Sequence, residues 1–195
     1  EEVIHLENVT FVPSWATFTG PREVQVSMSD GTTRTLTADH IVISTGARPR
    51  MLDIPGLPQE RTLTNLSLFD LTNLPKHLVI VGAGIIAMEM AFAFRKLGIQ
   101  VTMFALDKSP LVTYIPEVAE AMQPEIDKQG IVTHYGAIAK SYDESTRTLT
   151  LDQGGTEIKV NDVDKILVAI GRVRNIDSLG LDQAGVKYDP QTGIA

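Results

Sequence analysis

The residues best equipped for chemistry are Gly82-Ala83-Gly84-Ile85-Ile86-Ala87. They fit the pattern G-x-G-x-x-G/A. They follow the apolar run Leu78-Val-Ile-Val81 directly and open a helix-prone segment directly, the context that gives an otherwise common pattern its meaning. Each position has a mechanical reason. Gly82 permits a tight turn from strand to helix. Gly84 has no side chain, so a pyrophosphate can approach the backbone, and Ala87 is small enough for helix and strand to pack closely. The start of the helix then offers unpaired N–H groups and partial positive charge to the phosphates. The implied chemistry is binding of a dinucleotide through its pyrophosphate. The competing reading is a glycine-rich turn with a packing role alone.

A second strand in such a unit delivers a residue to the adenosine ribose. An acid about 20 positions on selects NAD, and a nearby arginine accommodates the 2′-phosphate of NADP. Here the segment is Val101-Thr-Met-Phe-Ala-Leu-Asp-Lys108. Ala105 stands where an acid is expected. Asp107 is placed to reach a ribose hydroxyl and Lys108 to pair with a phosphate, and both read equally well as solvated loop charges. No arginine lies between Arg95 and Arg147, so the bidentate clamp for a 2′-phosphate is missing from this loop. Discrimination is expected to be modest, or to lean slightly to NADPH.

The elements that must hold these residues are legible around them. Residues 1–48 read as β-rich. Val9–Val12 and Ala16–Phe18 are short β-prone runs, Val24–Ser27 and Thr33–Thr37 flank the turn Ser29-Asp-Gly31, and His40–Ser44 suits a strand buried on both faces. Residues 47–76, with Pro49, Pro55, Gly56, Pro58 and Pro75, look like a linker and a domain boundary. From residue 77 the pattern is β-α-β-α-β. Strands are expected at Leu78–Val81, Val101–Phe104 and Ile131–His134, and a helix at Ile85–Leu97 closed by Gly98. A second helix is expected at Pro116–Gln129 before Gly130, with a kink or an early stop at Pro124. Thr146–Leu151 and Thr156–Val160 flank Gly154-Gly155 as a hairpin, and Lys165–Ile170 is a last buried strand.

Composition narrows the function classes. Of 195 residues, 43% are hydrophobic and 21% charged, as in a globular domain with a real core. The net charge of −7 argues against a nucleic-acid or anionic-membrane surface. No run approaches the ~20 apolar residues of a membrane span, and no signal peptide is visible, which leaves the cytoplasm as the default location. There is no cysteine, so this stretch has no disulfide, thiolate site or catalytic thiol. His5, His40, His77 and His134 show no metal-ligand spacing and read as structural or exposed. Met88, Met90, Phe92 and Phe94 lie in a helix that must pack on a sheet, so they read as core. The chain starts without methionine and stops in what looks like a turn into a strand, which suggests a fragment.

Three segments, in order, resemble the pyridine nucleotide-disulfide oxidoreductases, flavoproteins with two dinucleotide-binding domains: Ile41-Val-Ile-Ser-Thr-Gly-Ala-Arg-Pro49, like A-T-G-x-x-P; Pro75–Ala91, around the glycine turn; and Ile166-Leu-Val-Ala-Ile-Gly-Arg-Val-Arg-Asn175, like A-x-G-R-x-P-N, with Arg174 in place of the proline. The resemblance implies a fold class and a division of the chain. The class is α/β, a Rossmann-like parallel sheet with a β-meander, plus a partial second (FAD) domain. Residues 1–48 would belong to the FAD domain, 49–171 would form the NAD(P)H domain, and 172–195 would return to the first. It implies that Gly82–Ala87 hold NAD(P)H, that Glu89 faces the nicotinamide carboxamide end, that backbone at Ala169, Ile170 and Gly171 lines the nicotinamide side, and that Ile138 touches adenine. Thr45 and Gly46 would lie near FAD. For Glu89 the alternative is a first-turn glutamate favoured by the helix dipole, and for Ile138 it is core packing. Ile85 stands where some relatives carry a tyrosine over the flavin, so aromatic gating is not expected. The family's FAD-pyrophosphate turn, redox cysteine pair, G-D motif and dimerisation domain have no counterpart here. The expected function is the NAD(P)H-binding part of an FAD-dependent oxidoreductase that passes a hydride from NAD(P)H to flavin. The alternative is an isolated dinucleotide-binding module with no activity of its own. The longer parent is expected to be a homodimer and this chain a monomer.

Overall fold

The computed structural model describes residues 7–194, in the order β1 (Trp15–Gly20), β2 (Glu23–Ser27), β3 (Thr33–Thr37), β4 (Ala47–Pro49), β5 (Thr62–Leu63), β6 (His77–Val81), α1 (Ile85–Lys96), β7 (Gln100–Ala105), α2 (Pro116–Lys128), β8 (Val132–Tyr135), β9 (Ala137–Asp143), β10 (Thr148–Gln153), β11 (Thr156–Val160), β12 (Lys165–Val168), β13 (Arg172–Arg174), β14 (Tyr188–Asp189) and β15 (Gly193–Ile194). The chain divides into two compact units, Glu1–Arg48 with Val173–Ala195 and Pro49–Arg172. His5 lies outside the described residues.

The Pro49–Arg172 unit is α/β. Its centre is a parallel five-stranded sheet in the order β5-β12-β6-β7-β8. All five side chains of β6 are buried. Leu78 and Ile80 pack with Val101, Met103, Ala87, Met88, Ala91, Phe94 and Ile126 on the helical face. Val79 and Val81 pack with Phe104, Ile166, Leu149, Leu151 and Val160 on the opposite face. That second face is covered by the antiparallel meander β9-β10-β11, order β11-β10-β9. Burial on both faces is why β6 reads as a continuous apolar run rather than an alternating one.

Both helices end in the same device. Gly98 (φ 84°) donates to Arg95 O at 2.9 Å while Ile99 N–H reaches Phe94 O at 3.2 Å. Gly130 (φ 67°) donates to Asp127 O at 2.9 Å while Ile131 N–H reaches Ile126 O at 3.2 Å. These are Schellman closures. The left-handed residue is glycine because it has no Cβ to clash, and the apolar residue after it packs back on the helix. Phe94 with Ile99 and Ile126 with Ile131 share the helix-side core.

Several expectations need correction. α2 runs without a break through Pro124. Pro124 and Glu120 are both exposed, so the Glu120 carbonyl left without its N–H partner can be hydrated instead of orphaned. Residues 47–76 are not a linker: Leu52, Ile54 and Leu57 pack into the meander-side core, and β5 forms the sheet edge beside β12. β9, which sequence periodicity did not reveal, pairs with β10 through a register shift between Thr150 and Leu151. The last strand of the sheet stops at Val168, before Ile170.

The other unit holds the antiparallel sheet β1-β2-β3 and a small core of Phe18, Ile176 and Leu181. Two expected strands do not form. Val9–Val12 is irregular. His40–Ser44 is also irregular, and Val42 is 87% exposed. A strand buried on both faces requires flanking strands to satisfy its backbone, and no described strand pairs with this run.

At the start of β6, His77 is buried in a polar cluster. Its Nδ1 lies 3.0 Å from Asn161 O and its Nε2 3.0 Å from Thr102 Oγ1. A carbonyl only accepts, so Nδ1 carries the proton and Nε2 accepts from the threonine hydroxyl. Asp164 Oδ2 accepts the N–H groups of Lys76 and His77 at 2.8 and 3.1 Å, and its other oxygen accepts from Arg147. Burial pushes the His77 pKa below the usual histidine value, partly offset by the Asn161 carbonyl and by Asp164 and Asp162. The unfolded chain therefore binds this proton more readily. The contribution of neutral His77 is complete above the unfolded histidine pKa and is lost as pH falls through the folded one. Urea midpoints should drop between about pH 7 and pH 5, and less steeply in His77→Gln. Half-buried His134 is shifted the same way and should account for the fall that remains. Equal slopes in the two proteins would assign the pH dependence elsewhere.

Candidate functional site

Because β6, β7 and β12 are parallel neighbours, their carboxyl ends share one edge of the sheet. Chain connection departs from β6 toward β7 on one side, while β12 lies on the other. Such a switch point opens a crevice where open α/β sheets bind ligands.

Gly82 opens the turn at this edge. Its φ is 113°, and a Cβ built there would lie 2.4 Å from Ala169 O. Its N–H donates to Phe104 O at 2.8 Å, and Ala169 N–H donates to Val81 O at 2.8 Å. The turn is thus hydrogen-bonded to the strands on both sides. Ala83 is buried, and its carbonyl accepts from Leu111 N–H at 2.9 Å. Gly84 is the N-cap of α1, with φ −82° and ψ −175°. This is ordinary extended backbone, and a Cβ at Gly84 would meet nothing within 4 Å. Gly82 is therefore glycine for the fold, whereas the space at Gly84 is empty.

The first α1 bond to the cap runs from Met88 N–H to Gly84 O at 3.0 Å. The N–H groups of Ile85, Ile86 and Ala87 have no helix partner and point out of the helix start. Ala87 is fully buried in the helix-side core, which lets α1 approach β6 closely. Ile85 is exposed beside this end of the helix. Glu89 is exposed, but it is the fifth residue of α1, and the first turn contains no acid. The dipole explanation offered by its sequence position therefore fails, because that effect fades beyond the first turn.

The remaining residues distribute as follows. Ala105 ends β7 opposite Tyr135 and is buried in the helix-side core. Asp107 and Lys108 are exposed, and neither enters an ion pair among the described residues. Asp107 O accepts from Gly136 N–H at 2.9 Å, linking the loop after β7 to the start of β9. Ile138 on β9 is 46% exposed, which rules out core packing as its explanation. Ala169 and Ile170 are half-buried after β12, and Gly171, at φ 102°, accepts from Arg50 N–H at 3.0 Å. The anchors at Phe104, Leu111 and Gly136 were not foreseen. They act through main-chain atoms, which leave no signature in side-chain identity.

Thr45 and Gly46 belong to the other unit. Thr45 Oγ1 donates to Asn175 O at 2.7 Å, Asn175 Nδ2 donates to Thr45 O at 3.0 Å, and Asn175 N–H donates to Gly46 O at 3.0 Å. Arg48 holds the Asn175 amide oxygen at 3.0 Å and Asp177 at 2.7 Å. Two of the three sequence motifs are thus knitted together. Thr45 also lines a hollow of about 790 Å3 with Phe18, Ile41 and Ile43. Among the described residues no cluster of three or more His, Cys, Asp or Glu could hold a metal, and no helix is long and apolar enough to cross a membrane.

Comparison with known proteins follows the same lines. The family model for pyridine nucleotide-disulphide oxidoreductases matches residues 2–195. The chain is 36% identical over 180 residues to dihydrolipoyl dehydrogenase of Chlorobaculum tepidum, covering 89% of this chain and 38% of that protein. It is 31% identical over 174 residues to mercuric reductase of Staphylococcus aureus, covering 88% of this chain and 31% of that protein. It therefore spans well under half the length of these relatives. Among solved structures, the flavoprotein disulfide reductase RclA of Escherichia coli superposes with a TM-score of 0.83 at 23% identity, over 100% of this chain and 43% of that one. LpdA of Mycobacterium tuberculosis gives a TM-score of 0.73 at 27% identity, over 90% of this chain and 39% of that one. The chain belongs to the pyridine nucleotide-disulphide oxidoreductase family.

Proposed function

We infer that the Pro49–Arg172 unit binds NADH or NADPH at the Gly82–Ala87 turn and positions it for hydride transfer to a flavin in a longer protein. The observation that carries this reading is the empty space at Gly84 beside the unpaired N–H groups of Ile85, Ile86 and Ala87. A pyrophosphate fits that space, and the helix start supplies donors and favourable charge. Glu89, exposed on α1 one turn beyond Ile85, serves the carboxamide end of the nicotinamide. The backbone at Ala169–Gly171 lines its other side, and exposed Ile138 packs against adenine. Bound flavin would supply the two-electron acceptor, while the protein contributes position and electrostatics.

The residues present suit one dinucleotide better than two. Thr45, next to Gly46, borders a hollow that accommodates part of a flavin, yet the Thr45 hydroxyl and the carbonyls of both residues already bind Asn175. Gly82–Ala87 is the single G-x-G-x-x-G/A turn in the sequence, and a second pyrophosphate needs a second such site. This favours a division of labour in which the chain acts as an inactive coenzyme-binding module and turnover belongs to a longer protein.

The test is to purify the chain, pass it through gel filtration after adding excess FAD, and titrate it with NADH and NADPH. Both coenzymes should bind, no stoichiometric flavin absorbance should be retained, and NADH should not be oxidised. Failure to bind either coenzyme would sink the dinucleotide site. Stoichiometric retention of FAD would overturn the incomplete flavin site.

A further inference from the structure

Five described residues other than glycine have a positive φ, and Leu111, at 53°, is the apolar one among them. Asparagine and aspartate tolerate this region because their side chains can bond nearby backbone, and leucine has no such means. A residue held there persists only where its surroundings over-determine it, and such residues gather at functional sites. Leu111 is held at side chain, carbonyl and amide. Its side chain is buried in the helix-side core. Its carbonyl accepts from Tyr114 N–H at 2.8 Å, and its own N–H donates to Ala83 O at 2.9 Å.

The last of these bonds reaches the glycine turn. The Ala83–Gly84 peptide is trans, so its carbonyl and its N–H point in opposite directions. With the Ala83 carbonyl aimed at Leu111, the Gly84 N–H is aimed away from it. Gly84 is exposed, and its N–H meets no acceptor among the described residues. The N–H groups of Ile85, Ile86 and Ala87 are oriented by α1 itself. That of Gly84 is not, because the peptide carrying it lies ahead of the first helical residue. Among the described bonds, the one from Leu111 is the tie that fixes this peptide.

We propose that Leu111 is a positioning residue for the pyrophosphate of the coenzyme. Its left-handed backbone aims the Leu111 N–H at Ala83 O, and this turns the Gly84 N–H outward as a further donor beside those of Ile85, Ile86 and Ala87. The proposal rests on the dinucleotide reading of the glycine turn. The leucine side chain, buried under α1, does not touch the coenzyme. It anchors a backbone conformation that would otherwise relax. Glycine adopts that conformation without an anchor. Alanine has neither the anchor nor the freedom, so it relaxes and releases Ala83 O.

The experiment titrates the chain, Leu111→Ala, Leu111→Gly and Gly84→Val with NADH, and records amide spectra of glycine-labelled protein. The Gly84 signal is the one missing from Gly84→Val. In the unsubstituted chain the Gly84 amide should exchange quickly with water, and it should move downfield as NADH saturates the site. Leu111→Ala should bind NADH at least about tenfold more weakly, the loss of one hydrogen bond to a charged acceptor. Leu111→Gly should stay within about threefold of the unsubstituted chain. A purely structural role predicts the opposite order, because glycine removes more side chain and adds chain entropy. The proposal is overturned if folded Leu111→Ala binds within about twofold of the unsubstituted chain, or if folded Leu111→Gly binds no more tightly than Leu111→Ala. It is also overturned if the Gly84 amide stays in place while the unsubstituted chain binds NADH, a result that needs neither Leu111 variant to fold. Any of these, with Gly84→Val still abolishing binding, leaves the dinucleotide reading standing. A chain that does not bind NADH, or a folded Gly84→Val that binds like the original, overturns both.

Discussion

Gly84→Val should bind NADH and NADPH at least about a hundredfold more weakly than the native chain, a loss of ~2.7 kcal/mol, while folding normally. The fold has no stake in this glycine. Its φ of −82° and ψ of −175° are open to any residue, and nothing lies within 4 Å of the Cβ position. Replacing an N-cap glycine that makes no side-chain cap bond costs the helix on the order of a few tenths to 1 kcal/mol. The ligand has a large stake. A branched side chain would fill the space that a pyrophosphate needs and would screen the N–H groups behind it. Hydrogen bonds to a charged acceptor contribute about 1.5–3 kcal/mol each, so losing one or two accounts for the expected magnitude. Fluorescence titration of NADH, with circular dichroism and a thermal melt as controls, reads both effects. A folded variant with undiminished affinity would remove the turn from the binding site.

Gly82→Ala should behave in the opposite way, unsettling the fold before it touches the ligand. The added Cβ would lie 2.4 Å from Ala169 O and 3.0 Å from Ala169 C, at φ 113°. The obstacle is backbone of the segment after β12, itself held by the Ala169 N–H bond to Val81 O, so no rotamer change relieves it. Positive φ in this region is costly for any residue with a Cβ, and the collision adds the price of prising β6 from β12. A destabilisation of about 3 kcal/mol is expected, equivalent to a fall in Tm of about 10 °C. Chemical denaturation measures it directly. An unchanged midpoint would mean that the turn can relax and that its close approach to Ala169 is dispensable. Together the two substitutions separate the structural glycine of the motif from the ligand-facing one.

What was legible in the sequence was local. The run Leu78–Val81 is apolar throughout because it is buried on both faces, and that property belongs to the residues themselves. The starts and ends of α1 and α2 were readable because Gly84, Gly98, Pro116 and Gly130 act on their own backbone and the next few residues. The glycine turn was readable for the same reason, since its strand, glycines and helix are contiguous. Where a local rule met an unseen neighbourhood it failed. Pro124 was expected to bend or stop a helix, but it lies on an exposed face where water can serve the freed carbonyl.

Tertiary structure decided everything that depends on partners far along the chain. His40–Ser44 has the composition of a buried strand, yet no described strand pairs with it, and backbone without a ladder does not become sheet. Thr45 and Asn175, 130 residues apart, are joined by hydrogen bonds that no spacing encodes. Ala105 and Leu106 differ by one step in sequence, but one faces the core and the other solvent. β7 ends at Ala105, so Leu106 leaves the sheet and no layer covers it; counting residues does not show where the strand gives way to solvent. The sequence by itself determined the strand, turn and helix of the His77–Gly98 stretch and that a glycine turn joins its strand to its helix. Which side chains surround that turn was decided by main-chain hydrogen bonds at Phe104, Leu111 and Gly136, contacts that form only once distant segments have packed.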